Sequence, residues 1–294
     1  MQYRRLGSTE LSISTVGVGT WQFAGVWDKH FAQDEVDAIL GRASELGINF
    51  IDTAECYGHK HLSETLIGNS LKGQRDKWII ATKFGHNPNN DLDEENYSAE
   101  QVLIQLEESL RALQTDYIDV YQLHSAKRKL FENDELWTML DKQVQAGKVR
   151  FLGNSVPLPG IEFQVGKSSE YGIRVLQMVY NAVNRKAEAV FASAAEQDLG
   201  IIARTPLASG FLSGKYQPGH AFPASDVRCM RPQEGLDREI EAALNLLQER
   251  PADMAATTWA GAWCLQSDAI TAVIPGMKSI AQLEENAVAG DVTL

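Results

Sequence analysis

Four side chains suited to proton chemistry follow closely on short apolar runs of the sequence. Asp52, Lys83 and His124 each come at the end of such a run, and Tyr57 stands five residues beyond Asp52. The runs have the length and composition of buried strands, and the carboxyl ends of parallel strands lie at one edge of a sheet. We therefore expect the four side chains to face one another across that edge.

This set of residue types suits the reduction of a carbonyl group. Hydride addition builds negative charge on the substrate oxygen, which a nearby donor must neutralise. Tyr57 can supply the proton, and we expect the ammonium of Lys83 to lower the pKa of Tyr57 from its usual value of about 10. Asp52 would hold that ammonium in place. A neutral His124 would orient the carbonyl oxygen.

Each of these residues also has an ordinary structural interpretation. Asp52 is a common type of turn residue, Tyr57 could cover the end of a barrel, and His124 could be a buried histidine with its hydrogen bonds satisfied. A lysine at the position of Lys83 is difficult to bury without a partner. The same lysine leaves a second chemistry open, in which it forms a Schiff base as in a class I aldolase.

The elements that must position these residues are predicted from hydrophobic periodicity. Amphipathic segments alternate with strand-like runs, which is typical of βα units around a parallel sheet. Gly47 is expected to end one helix in the left-handed conformation, and Ser98 with Gln101 to begin another. Gly147 and Gly200 are expected to end helices in the same way. The predicted strands are Ser14–Gly19, Ile48–Ile51, Trp78–Ala81, Tyr117–Gln122, Val149–Leu152, Arg174–Met178, Ile201–Ala203 and Ala272–Ile274.

Eight such units over 294 residues predict a single-domain (β/α)8 TIM barrel spanning 1–294. A GxGxxG motif after the first strand would indicate a Rossmann domain instead, and the sequence lacks one there. Residues 211–236, which are rich in Gly, Pro and Ser, interrupt the alternation of strand-like and amphipathic segments. We expect this segment to be a loop insertion over the active face.

Charge and cysteine content exclude several classes of protein. The formal net charge of −12 argues against general binding to nucleic acid or anionic membranes. The three cysteines form no CxxC pair, so neither a disulfide framework nor a metal site is predicted, and Cys56 is expected to be an ordinary thiol. Without an apolar leader or a run of membrane-spanning length, a cytoplasmic protein is expected.

The chain resembles the aldo-keto reductase family, most closely the bacterial type, over nearly its whole length. The resemblance rests on motifs in the expected order: GINFIDTAECYG at 47–58, ATKFG at 81–85, DYIDVYQLH at 116–124, GKVR at 147–150, LASGFLSGKY at 207–216, IPGMKS at 274–279 and QLEEN at 282–286. It implies a catalytic tetrad of Asp52, Tyr57, Lys83 and His124. It also implies NADP(H) bound across the barrel mouth without a Rossmann fold.

The resemblance further implies which residues contact the cofactor. Arg204 stands where relatives have an aromatic that stacks on the nicotinamide, and a guanidinium can replace it. Gln282 stands where many relatives have arginine, so the preference for a 2′-phosphate is weaker and NAD(H) remains an alternative. The predicted cofactor-binding set is Thr20, Trp21, Ser155, Gln177, Arg204, Pro206, Leu207, Ser209, Gly210, Leu212, Lys215, Gly276, Lys278, Ser279, Gln282, Glu285 and Asn286.

The predicted function is therefore the NAD(P)H-dependent reduction of aldehydes or ketones to alcohols. Trp21, Phe23 and Trp27 are expected to shape an aromatic substrate pocket for a small carbonyl or alcohol. The sequence does not choose the substrate, the favoured direction or the oligomeric state. Because channel-associated β-subunits resemble the same family, a cofactor-binding regulatory subunit is the alternative from another functional class.

Overall fold

In the computed structural model, which describes residues 1–86 and 96–294, a short antiparallel hairpin precedes a sheet of eight parallel strands. The hairpin strands are β1 (Tyr3–Arg5) and β2 (Ser12–Ser14). The parallel strands pair in chain order and are β3 (Val18–Gly19), β4 (Phe50–Asp52), β5 (Ile79–Phe84), β6 (Ile118–His124), β7 (Val149–Ser155), β8 (Ile173–Val179), β9 (Gly200–Arg204) and β10 (Ala272–Ile274).

The last strand returns to the first, so the sheet closes into a barrel. The backbone N–H of Gly17 donates to the carbonyl of Val273 at 2.8 Å, and the N–H of Val273 donates to the carbonyl of Thr15 at 2.9 Å. A further parallel bridge joins Gly19 to Gly276. The predicted (β/α)8 TIM barrel is confirmed.

The helices surround this barrel. They are α1 (Gln33–Glu45), α2 (Leu62–Ser70), α3 (Ala99–Leu113), α4 (Arg128–Phe131), α5 (Asp134–Gln145), α6 (Ile161–Gly166), α7 (Phe191–Glu196), α8 (Gln233–Leu246), α9 (Ala256–Leu265) and α10 (Ile280–Val288). None of the helices in the described ranges combines the length and apolar content that crossing a membrane requires.

The predicted helix boundaries are partly right. Gly47 follows α1 with a φ of 78°, and Ser98 caps α3 by accepting a hydrogen bond from the backbone N–H of Gln101 at 3.3 Å. Gly200 is not a helix stop. It begins β9, and a Cβ there would approach Leu6 to 2.6 Å, while the left-handed residue after α7 is Asp198. Close packing rather than a turn explains this glycine.

The predicted first strand, Ser14–Gly19, is wrong in its extent. Ser14 ends β2 and pairs with Tyr3 of the hairpin, while only Val18 and Gly19 form the parallel strand. The Ser14 hydroxyl donates to the carbonyl of Val16 at 2.8 Å, which turns the chain between the two strands. The hairpin contributes buried apolar side chains to the barrel interior, namely Leu6, Leu11 and Ile13.

The predicted loop insertion, 211–236, begins within a 3₁₀ segment, Ala208–Ser213, and includes a second one, Val227–Met230. Its last residues belong to α8, which begins at Gln233. An antiparallel bridge joins Asp226 to Trp27, and the N–H of Val227 donates to the carbonyl of Val26 at 2.8 Å. The segment is thus attached to the loop that follows β3.

Candidate active site

The carboxyl ends of three adjacent strands bring the predicted catalytic residues together. Asp52 ends β4, Lys83 lies near the end of β5 and His124 ends β6. Parallel pairing places Asp52 beside Ala81 and Lys83 beside Gln122. Tyr57 lies in the turn after β4, so the strand register explains why residues far apart in sequence share one site.

The Lys83 ammonium is fully buried and has three acceptors. Its Nζ lies 2.9 Å from Asp52 Oδ2, 2.6 Å from the carbonyl oxygen of Thr53 and 3.1 Å from Tyr57 Oη. A buried cation is tolerated only when its donors are satisfied and its charge is compensated. Lys83 therefore links the buried carboxylate to the phenol.

Two glutamine side chains complete the surroundings of the Asp52 carboxylate. Gln177 Nε2 donates to Asp52 Oδ1 at 2.6 Å, and Gln122 Nε2 donates to the same oxygen at 3.3 Å. Gln122 was not predicted as a site residue. A polar side chain within an otherwise apolar buried strand is the signal that could have identified it.

Burial and neighbouring charges shift the pKa values of Lys83 and Tyr57 in opposite directions. Burial lowers the pKa of Lys83, but Asp52 and Tyr57 more than offset it, so the pKa lies above its usual value and the ammonium stays charged. Burial raises the pKa of Tyr57 to about 12 although Lys83 acts to lower it. The expectation that Lys83 brings the pKa of Tyr57 below its usual value is wrong for this structure, because the loss of solvation outweighs the ammonium.

His124 is held as a neutral imidazole. Burial, followed by the charge of Lys83, lowers the pKa of His124 well below its usual value. Its Nδ1 lies 3.6 Å from Cys56 Sγ and 4.0 Å from Glu55 Oε2. Its ring centroid lies 6.1 Å from that of Tyr57.

Cys56 and Glu55 form a buried cluster with His124 that spacing alone could not reveal. Burial raises the pKa of the Cys56 thiol well above its usual value and raises the pKa of Glu55 to about 8. One nitrogen, one sulfur and one oxygen of these residues lie within 4.8 Å of one another, which is the spacing of metal-ligating groups. The sequence predicted no metal site here.

A cavity of about 420 Å³ lies directly against these residues. It extends from Tyr57 and His124 to the start of α10. The predicted site residues that line it are Thr20, Trp21, Trp27, Asp52, Tyr57, His124, Ser155, Gln177, Arg204, Pro206, Leu207, Ser209, Gly210, Lys215, Gly276, Lys278, Gln282, Glu285 and Asn286. Lys83 does not line the cavity, but its ammonium contacts the hydroxyl of Tyr57, which does.

Three residues of the predicted site, Phe23, Leu212 and Ser279, are not among those that line the cavity. Phe23 is buried in the core with its ring centroid 5.0 Å from that of Phe31, so it does not line the substrate pocket. Leu212 is fully buried in an apolar cluster with Leu236. Ser279 instead caps α10, where its hydroxyl accepts from the N–H of Gln282 at 3.3 Å.

Several lining residues were missed by the sequence reasoning, including Gln22, His86, Tyr216, Arg228 and Thr257. Arg228 is the clearest case. Its guanidinium pairs with Asp226 at 2.7 Å and lies 4.0 Å from the ring centroid of Phe222. Its position depends on how the 211–236 segment folds back, which local pattern does not show.

The cavity walls carry buried polar atoms that have no hydrogen-bond partner within the described ranges. They are Gln22 Oε1, Trp27 Nε1, Arg204 Nε and Asn286 Nδ2. Unsatisfied buried groups are costly, so their concentration in one cavity indicates a polar ligand that would satisfy them. Gly210, with a φ of 92°, gives the adjoining loop a turn that exposes backbone along the same wall. A ligand with polar and anionic groups, such as a nicotinamide dinucleotide, fits this combination of unpartnered polar atoms and nearby cations.

Comparison with a family model covers most of the chain. Residues 15–294 match the family model for the Aldo/keto reductase family. The chain belongs to the aldo/keto reductase family. The resemblance found in the sequence motifs is therefore confirmed.

Individual relatives extend over the whole chain. An uncharacterized oxidoreductase, YrpG, of Bacillus subtilis is 32% identical, and the alignment covers 100% of this chain and 92% of that protein. The L-glyceraldehyde 3-phosphate reductase of Escherichia coli is 31% identical over 97% of this chain and 86% of its own length. The solved holo form of the aldo-keto reductase AKR11C1 from Bacillus halodurans superposes with a TM-score of 0.83 at 29% identity, covering 100% of this chain and 92% of that one.

Proposed function

We propose that this aldo/keto reductase reduces an aldehyde or ketone to an alcohol with NADPH or NADH, taking the proton from Tyr57. The observation that carries the proposal is the 3.1 Å contact between Lys83 Nζ and Tyr57 Oη at the wall of the cavity. A phenol beside a permanently charged ammonium can give up its proton without leaving an uncompensated negative charge.

Each member of the proposed tetrad has one role. Asp52, held by Gln177 and Lys83, keeps the ammonium in place. Tyr57 is the acid, and neutral His124 donates a hydrogen bond that orients the carbonyl oxygen. The bound nicotinamide supplies the hydride.

We propose NADP(H) as the preferred cofactor, with NAD(H) as the alternative. Ser155 and Gln177 line the cavity next to the tetrad and would bind the carboxamide, while Arg204 would stack on the nicotinamide ring. Lys215 and Lys278 also line the cavity and offer cations for phosphate groups. Position 282 is a glutamine where many relatives have arginine, so the expected preference for NADP(H), which carries the 2′-phosphate, over NAD(H) is weaker.

The two alternatives have less support. A Schiff-base lysine needs an uncharged amine, whereas the ammonium of Lys83 is held by Asp52 and its pKa is raised. A purely regulatory subunit would not require the buried Asp52–Lys83–Tyr57 chain, whose ion pair costs solvation. For the substrate, we propose a small carbonyl compound that fits against Trp21 and Trp27, whose rings lie edge to face at 5.0 Å.

Titration with NADPH and NADH, followed by a panel of aldehydes and ketones, tests the proposal. Oxidation of the cofactor that requires both the protein and a carbonyl compound would support it. Tight binding of the cofactor without turnover on any carbonyl would favour the regulatory alternative, and borohydride trapping on Lys83 would favour the Schiff base. Failure to bind either nucleotide would overturn the proposal.

A further inference from the structure

His124 can orient a carbonyl oxygen only if the ring nitrogen that faces the cavity carries a proton. A neutral imidazole has one N–H, so the other nitrogen must then be an acceptor. In this structure Nδ1 lies on the side of the ring next to Cys56 and Glu55, with Sγ at 3.6 Å and Oε2 at 4.0 Å. Nε2 lies on the opposite side of the ring. The residues around Nδ1 therefore decide which tautomer is present.

We propose that the Cys56 thiol donates a hydrogen bond to His124 Nδ1 and so fixes the imidazole proton on Nε2. Cys56 is thus a positioning residue, and its role in turnover rests on the proposed reduction. The tautomer itself is a property of the resting protein and holds whether or not that reaction is the right one.

The thiol is suited to be the donor. Cys56 is 9% exposed and lines the cavity beside His124, and a distance of 3.6 Å between sulfur and nitrogen is a normal hydrogen-bond length for a thiol. Burial keeps the thiol protonated, because it raises the pKa of Cys56 well above its usual value. A protonated thiol beside an acceptor nitrogen satisfies both groups.

Glu55 does not oppose this arrangement. Its Oε1 accepts from the backbone N–H of His86 at 2.9 Å, and its Oε2 has no hydrogen-bond partner within the described ranges. An ionised carboxylate next to Nδ1 would attract the imidazole proton to Nδ1, as the aspartate of a serine-protease triad does. Burial raises the pKa of Glu55 to about 8, so at neutral pH the carboxyl is uncharged and exerts no such attraction.

A metal ion is the competing interpretation of the same three groups. Their donor atoms are close enough together for a Zn²⁺ site. However, the positive charge of Lys83 acts on Glu55, Cys56 and His124 alike and disfavours a second cation among them. Hydrogen bonding between neutral groups has no such penalty. The observations therefore favour the tautomer interpretation.

Nitrogen NMR of histidine-labelled protein tests the proposal directly, since the shifts of the two ring nitrogens report which one is protonated. The His124 signals are assigned by their loss in His124→Gln. We expect the Nε2–H tautomer in the wild type and in Cys56→Ser, which keeps a donor, and a mixture of tautomers in Cys56→Val, which removes it. Cys264→Val is the matched control, because Cys264 is also a buried thiol but donates to the carbonyl of Tyr180 at 3.5 Å.

Turnover provides a second measurement. If the proposed reduction is right, kcat should fall about tenfold in Cys56→Val, the value of one lost hydrogen bond, and stay near the wild-type value in Cys56→Ser and Cys264→Val. A protein with the expected tautomers but no reductase activity would leave the hydrogen bond from Cys56 and the His124 tautomer standing and overturn the proposed function alone.

Three results would overturn the inference. The first is a proton on His124 Nδ1 in the wild type, and the second is a tautomer that stays unchanged in a folded Cys56→Val protein. The third is stoichiometric binding of Zn²⁺ alone, detected by calorimetry, that is lost in Cys56→Val and retained in Cys264→Val. If Cys56→Val does not fold, Cys56→Ala serves as the variant without a donor.

Discussion

The ammonium nitrogen of Lys83 lies 3.1 Å from the hydroxyl oxygen of Tyr57, between that hydroxyl and the carboxylate of Asp52. Replacing Tyr57 with phenylalanine removes the proposed acid and little volume. We expect kcat for carbonyl reduction to fall roughly 10²- to 10⁴-fold, the usual contribution of a general acid, with cofactor affinity unchanged. Steady-state kinetics and fluorescence titration with NADPH measure the two quantities.

Tyr121→Phe is the matched control for this substitution. Tyr121 is fully buried on β6, and its hydroxyl has no hydrogen-bond partner in the part of the chain that the structure describes. Its removal should leave kcat unchanged and stabilise the protein slightly, because a buried unsatisfied hydroxyl is unfavourable. Near wild-type turnover in Tyr57→Phe would show that another group is the acid.

The Asp52–Lys83 pair should contribute differently to stability and to activity. Lys83→Met leaves the buried Asp52 carboxylate without its cation, which should lower the free energy of unfolding by about 3–5 kcal/mol. Asp52→Asn combined with Lys83→Met removes both charges, so stability should largely return while reductase activity stays lost. Denaturant unfolding of the single and double variants measures this. A double variant as unstable as Lys83→Met would contradict the prediction.

The positions of the proposed tetrad could be predicted from sequence because they follow from two local facts. An apolar run specifies a strand, and the residue at the carboxyl end of a barrel strand points to the mouth. Asp52, Lys83 and His124 each satisfy both conditions, and the structure brings them together. Tyr57, in the turn after β4, was placed by its nearness in sequence to Asp52.

What the sequence did not predict depends on packing between distant segments. The pKa of Tyr57 depends on how completely the site is buried, which local pattern does not give. Phe23 lies only two residues after Trp21, yet one enters the core and the other lines the cavity because a 3₁₀ turn over Trp21–Ala24 separates their directions. The contact of Cys56 with His124 likewise needs the loop after β4 to fold against the end of β6.

The choice of cofactor can be tested at Lys278. This side chain lines the cavity, donates to the carbonyl of Trp27, and has its pKa lowered by burial. If it binds the 2′-phosphate, Lys278→Ala should raise the Kd for NADPH about tenfold or more and change that for NADH little, because a charge-assisted hydrogen bond is lost only with NADPH. Calorimetric titration with both nucleotides measures the difference.

Lys142→Ala is the control for Lys278→Ala, since Lys142 is an exposed lysine on α5 and does not line the cavity. It should leave both affinities unchanged. Equal weakening of NADPH and NADH in Lys278→Ala would assign Lys278 to a phosphate that both cofactors share, and the preference for NADP(H) would then need another source.

The final prediction concerns pH and the buried carboxyl of Glu55. Burial raises its pKa from 4.5 to about 8, so between these values the folded protein retains a proton that the unfolded chain releases. Unfolding is therefore favoured increasingly as pH rises through this window, and the stability that protonated Glu55 allows is fully present only below about pH 4.5.

Glu55→Gln removes the titrating carboxyl while keeping the shape of the side chain. The variant should gain stability over the wild type by roughly 3 kcal/mol between the acid end of the window and neutral pH. Urea unfolding of both proteins across the window measures this difference, with the exposed Glu241→Gln as a control that should show none. A constant difference between Glu55→Gln and wild type at all pH values would mean that the pKa of Glu55 is the same in the folded and unfolded protein, with the attraction of Lys83 offsetting the effect of burial.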